Sequence, residues 1–242
     1  METFLELYES RKKEISDILS LLGFLERKQR TKVKDEDVTE FDSFFHSDDG
    51  IDLSYQSMTN ILKSNVALMI YNLIEFTITN IIEYIYEQIR VNQLGYTGVN
   101  ELIQKLWHMT VLRATNDPGS NFNTVVKTSE KVINVILDNS VIQLKSRDTL
   151  PAGNLGGAGI KDTLSKHGIL INTSSPNFRP DILDTIKEKR NELAHGSVSF
   201  VEAMRDYSII DIIKINKLLI DFLQEVIDTA RTYLDEQQYK SA

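Results

Sequence analysis

Residues 57–91 read SMTNILKSNVALMIYNLIEFTITNIIEYIYEQIRV. Val66, Ile70, Leu73, Ile74, Ile81 and Ile85 return at helical intervals as one apolar stripe, and Asn72, Glu75, Thr79, Glu83 and Glu87 make a second, polar one. A half-buried strand would alternate with a period of two, which this stretch does not do. The spacing therefore predicts one long amphipathic helix, closed by Gly95.

The same period extends in both directions. Phe4, Leu7, Tyr8, Ile15, Ile18, Leu19, Leu22 and Leu25 predict an N-terminal helix over 3–29. Residues 31–54 lose the period and collect Asp35, Glu36, Asp37, Glu40, Asp42, Asp48, Asp49 and Asp52, the composition of an acidic solvated loop. As a calcium loop it fails, because acids do not alternate before Gly50 and no glutamate closes it. Downstream, 99–114 predicts a helix ended by the Asn116, Asp117, Pro118, Gly119 turn signal, and the Val- and Ile-rich run 129–144 is assigned to helix. Gly153, Gly156, Gly157 and Gly159 have the spacing of neither a dinucleotide fingerprint nor a P-loop, so they read as a flexible loop before a short helix ending at His167 and Gly168. Pro180 opens a helix with Asp181 as its expected N-cap and Gly196 as its stop, and a last helix spans 207–236. The sum is an all-α bundle, expected as one helical domain over 1–242 with an N-terminal helix and irregular insertions.

Composition narrows the function. The 242 residues are 41% hydrophobic and 26% charged, enough apolar material for a sizeable core. The absence of cysteine removes disulfide scaffolds, zinc–thiolate sites, iron–sulfur clusters and thiol catalysis, and it fits a reducing compartment, so a cytoplasmic location is expected. A net charge of -8 argues against a broad basic face that grips duplex, so any nucleic-acid contact must be local. Charged residues from Glu2 to Lys13 exclude a secretory signal there, and the polar interruptions in Val66–Ile89 read as too many for a membrane span. His46 and His108 share no ligand spacing with other residues, so neither a metal nor a cofactor is expected.

The segment richest in chemistry is KEKRNELAHG, Lys187 to Gly196. Its Arg-Asn-x-x-x-His frame is expected by chance on the order of 0.01 times in this composition. At about 100° per residue, Asn191 and His195 share a helix face, where the amide is placed to hold the imidazole. Arg190 lies about 140° from His195, and the two converge on one ligand through the length of the arginine or a loosening of the helix at Gly196. An arginine and a histidine suffice to move a phosphodiester onto its neighbouring ribose hydroxyl: the guanidinium neutralises charge on the phosphoryl oxygens and the imidazole moves the proton. RNA supplies that internal nucleophile and DNA does not.

RNELAHG (190–196), together with MIYNLIEFTITN continuing into IIEYIYEQI (69–89) and SFVEAMRDYS (199–208), resembles the HEPN superfamily, and within it the stand-alone MAE-like bacterial proteins. The resemblance covers most of 55–236, with the helix at 3–29 less distinctive. It implies a helical bundle acting as a metal-independent endoribonuclease that leaves a 2′,3′-cyclic phosphate, a homodimer in which two motifs line one cleft, and a toxin or antiviral-defence role held in check by a cognate antitoxin or regulatory protein. By position in the motif, Arg190 and His195 carry over as catalytic and Asn191 as the orienting polar residue. The further polar side chain that the family places near its cleft maps to Asn72 or Glu75.

Plainer readings stand beside these. Lys187 and Lys189 complement the helix dipole, His167 beside Gly168 is a helix-end histidine outside any Arg-Asn frame, and Trp107 and Tyr71 are core aromatics. Asn72 and Glu75 also belong to a solvated polar stripe. The alternative function is a non-catalytic helical module that binds a protein partner or nucleotide through the same cleft.

Overall fold

The computed structural model describes residues 1–32, 54–115, 121–151, 153 and 155–241. The acidic segment tested as a calcium loop, His46 and the Asn116–Gly119 turn lie outside them. Among the described residues nine α-helices form and no strand: α1 (Glu2–Lys32), α2 (Tyr55–Val91), α3 (Glu101–Leu112), α4 (Phe122–Leu137), α5 (Ser146–Thr149), α6 (Gly157–Lys166), α7 (Pro180–Ala194), α8 (Phe200–Ala203) and α9 (Ile209–Asp235). The all-α expectation holds. The chain divides into two compact units, Met1–Ile74 with Arg179–Asp221 and Glu75–Phe178 with Phe222–Ala242; of the three points where it passes from one to the other, two fall inside continuous helices, α2 and α9, and the third lies just before α7.

In the first unit, α1 buries Phe4, Tyr8, Ile15, Leu19, Leu22 and Leu25, whereas Leu7 is exposed despite its place in the pattern. The opposite face carries Lys12–Glu9 and Lys13–Asp17 pairs one turn apart. The α2 stripe behaves as read: Val66, Ile70, Leu73, Ile74, Ile81 and Ile85 are each at most 2% exposed. By length and composition alone α2 is the one described helix long and apolar enough to cross a bilayer, a test that a buried core helix passes equally. Its apolar stripe is nonetheless occupied by packing inside the protein. Asp181 is not the N-cap of α7. Arg179 holds that position, Pro180 is the first helical residue, and the Arg179 fork closes on both Asp181 oxygens at 2.9 and 2.6 Å. That pairing holds the Asp181 carboxyl below its usual range.

In the second unit, Asn100 caps α3 by accepting from Ile103 N at 2.9 Å. The run at 129–144 is displaced from its expected helix. Asn121 caps α4 much earlier, accepting from Thr124 N, and Asp138 ends it. Ile142 and Leu144 owe their apolarity to burial in an extended segment, where Ile142 N donates to Leu94 O at 3.2 Å. Gly157 and Gly159 lie within the first turn of α6 instead of in a loop before it. Glu83, on the polar stripe of α2, accepts from Ser146 N at 2.8 Å and so secures the start of α5.

Candidate functional site

The α7 helix carries the motif, and its end follows from the sequence. His195 is the C-cap, with φ −88° and ψ −4°, and Gly196 follows at φ +67°, the left-handed region that glycine enters without a steric penalty. Ser197 N returns to Glu192 O at 3.1 Å and Gly196 N to Leu193 O at 3.2 Å, the two bonds of a Schellman closure. The histidine therefore sits on the last turn, where backbone carbonyls gather negative potential.

Arg190 is half-buried, with its guanidinium carbon 4.9 Å from the centroid of the Tyr71 ring, a cation–π contact. Tyr71 is completely buried, so the ring is a rigid support. Arg190 Nη1 also donates to Asn191 Oδ1 at 3.0 Å. Asn191 thus engages the arginine and not the imidazole, contrary to the expectation from their shared face. A short step along the chain lets the two planar groups meet side by side, whereas the His195 ring, on a residue that already leaves helical geometry, is out of that reach.

The His195 side chain is exposed and makes no hydrogen bond within the described residues, which leaves both ring nitrogens accessible to a ligand. Asn72 is also exposed, without a side-chain hydrogen bond among the described residues, and Glu75 is half-buried one turn further along α2. On α2, Arg190 meets Tyr71, which sequence reasoning placed in the core and gave no part in the site. It lies in the MIYNLIEFTITN stretch, but no periodicity or spacing ties an aromatic on one helix to an arginine on another far along the chain. Lys187 pairs with Asp184 at 3.3 Å and Lys189 with Glu192 at 2.9 Å, so both lysines belong to the surface ion pairs of α7.

Arg190 is therefore pre-oriented by a ring beneath it and an amide beside it, and His195 ends the same helix in the open. A fixed guanidinium and an accessible imidazole can bind an anionic oxygen and exchange a proton. The family described as HEPN_MAE_28990, a HEPN-type domain, matches residues 2–239. That match takes in α1, whose sequence is less distinctive of the family than 55–236. No curated protein and no solved structure matches the chain significantly.

Proposed function

Because this chain belongs to the HEPN_MAE_28990 family over nearly its whole length, we propose that it is a ribonuclease of HEPN type acting through Arg190 and His195. HEPN domains are commonly ribonucleases, and the observation that carries the reading here is the pairing of a braced Arg190 with an unencumbered His195 on one helix end. In the proposed step the imidazole accepts the 2′-OH proton, the 2′-oxygen bonds to phosphorus, the bond from phosphorus to the 5′-oxygen breaks, and a proton is returned to that oxygen. The products are a 2′,3′-cyclic phosphate and a 5′-hydroxyl. Arg190 neutralises the phosphoryl oxygens as charge builds on them, which needs no metal ion.

A homodimer would bring a second imidazole to the same linkage, so that one takes the proton and the other returns it. An overall charge of -8 confines RNA contact to the few cations around the motif and favours short single-stranded loops over long duplex. Uncontrolled cleavage of this kind harms its own cell, so a toxin or antiviral effector held by a protein partner is the setting that fits.

The test is incubation of purified protein with mixed RNA in EDTA. Cleavage leaving cyclic-phosphate ends is expected, with loss of roughly 10²–10⁴-fold in rate for Arg190→Ala and for His195→Ala. Uncut RNA that nevertheless binds in an Arg190-dependent manner would mark the chain as a binding module.

A further inference from the structure

The stretch Ser199–Ser208 contains α8, which at four residues is too short to persist unaided. Its two ends are fastened to α2. Ser64 Oγ donates to Phe200 O at 2.7 Å where α8 begins, and Lys63 Nζ donates to Tyr207 O at 2.8 Å and to Arg205 O at 3.3 Å beyond its end. Ser64 is fully buried and Lys63 is 5% exposed. Among the described residues no carboxylate forms a direct ion pair with Lys63; Asp206 favours its charge from a distance, and its hydrogen bonds go to the main-chain carbonyls on either side of that residue. Desolvating such a charge carries a penalty of several kcal/mol that an apolar side chain of similar length would avoid. The arrangement is therefore poorly explained by packing and well explained by a need to hold one backbone segment in place.

The motif supplies that need. Arg190 is fixed by its own side-chain contacts, to Tyr71 and Asn191. His195 has none among the described residues, so its position is set by the backbone: by the Schellman closure before Gly196 and by the segment that runs on to α9. Ser199 N and Oγ both donate to Glu202 Oε2, and Ser208 N and Oγ both donate to Asp211 Oδ2, so the segment is stiffened at its two corners and clipped to α2 between them.

We propose that Lys63, seconded by Ser64, is a positioning residue for His195, clamping the chain that follows the histidine onto α2; this rests on the ribonuclease reading above. Lys63→Met is expected to lower kcat roughly tenfold to hundredfold while KM stays within about twofold, because phosphate binding by Arg190 is untouched and the proton-transfer geometry is lost. Two readouts need no activity. Amide hydrogen exchange should quicken across 199–208, and the His195 ring resonance should shift. With no native cysteine in the chain, Lys63→Cys alkylated with 2-bromoethylamine in denaturant and refolded regains an ammonium as the thiolate displaces bromide. That product should recover slow exchange and kcat, and the ethyl-capped control should not. Unchanged exchange and an unchanged His195 resonance in folded Lys63→Met overturn the proposal. If Lys63→Met does not fold, Ser64→Ala decides: faster exchange from Phe200 onward supports the clamp, and unaltered exchange refutes it. If the wild-type protein leaves RNA uncut, the ribonuclease reading falls, while exchange and the resonance still decide whether the clamp holds His195.

Discussion

Two helix ends in this protein carry the same pair of residues. The α6 helix closes through Leu164, Ser165, Lys166, His167, Gly168 and Ile169, and α7 through Glu192, Leu193, Ala194, His195, Gly196 and Ser197. In each the histidine is the C-cap and the glycine turns left-handed, at φ +87° and +67°. In each the same two hydrogen bonds close the turn, Ile169 N to Leu164 O and Gly168 N to Ser165 O in the first, Ser197 N to Glu192 O and Gly196 N to Leu193 O in the second. The histidines nonetheless have opposite environments. His167 is fully buried; its Nδ1 donates to Thr163 O at 2.7 Å, which leaves Nε2 to accept from the Tyr86 hydroxyl, itself 2.8 Å from Thr149 Oγ1. His195 is exposed, with no such partner among the described residues. Local sequence decides where each helix turns, and packing decides whether the imidazole is a strut or is free for chemistry.

Removing each ring breaks that comparison most directly. His195→Ala is expected to cost roughly 10²–10⁴-fold in cleavage rate and to leave the thermal midpoint unchanged, since an exposed ring contributes little to stability. His167→Ala should do the reverse. It empties a buried site and takes one hydrogen-bond partner each from the Tyr86 hydroxyl, which keeps Thr149, and the Thr163 carbonyl, a loss of about 2–5 kcal/mol in urea unfolding, with activity per folded molecule preserved. Equal destabilisation by both, or equal inactivation by both, would dissolve the distinction.

The buried histidine should also write itself into the pH dependence of stability. Burial lowers its pKa to about 4, against about 6.5 in the unfolded chain. Above the unfolded value both states are neutral and the stabilisation is fully present. As the pH falls from there toward 4, the unfolded chain takes up a proton that the folded chain resists, and stability drops by something on the order of 3 kcal/mol before the slope vanishes. Urea melts at several pH values across this window should show the drop in wild type and a shallower one in His167→Gln. A slope that survives the substitution intact would assign the acid sensitivity to other groups.

The all-α class and the motif were legible because each is written in short spacings: the α2 stripe at intervals of three and four, and Arg190 to Gly196 within two turns of one helix. The shift of α4 was not, since the Val and Ile of 129–144 serve a helix up to Leu137 and an extended segment at Ile142 and Leu144, and apolarity does not distinguish the two. Asp181 looked like a cap until Arg179, two residues before it, took its carboxylate. The capping box from Ser199 to Glu202 marks α8 and went unread, although Ser and Glu three apart are its sequence signature. Tyr71 beneath Arg190 could not be read, because a contact between residues distant in the chain leaves no period. Leu7 fits its helical pattern and is exposed all the same, so periodicity overstated how wide the buried face of α1 is.

The finest comparison is between the two glycines. A Cβ on Gly168 would lie 3.0 Å from Tyr233 Cε2 and 3.3 Å from its hydroxyl, whereas a Cβ on Gly196 would meet nothing within 4 Å. Both positions have positive φ, so alanine at either is strained by about 1–2 kcal/mol. Gly168→Ala must in addition displace a buried tyrosine ring, and its melting midpoint should fall further than that of Gly196→Ala. Asparagine tolerates the left-handed region, so Gly196→Asn should be within about 0.5 kcal/mol of wild type and should keep the cleavage rate that Gly196→Ala loses as the turn after His195 shifts. If alanine and asparagine at 196 prove equal in both respects, the turn does not depend on the left-handed conformation, and the placement of His195 must come wholly from the segment beyond it.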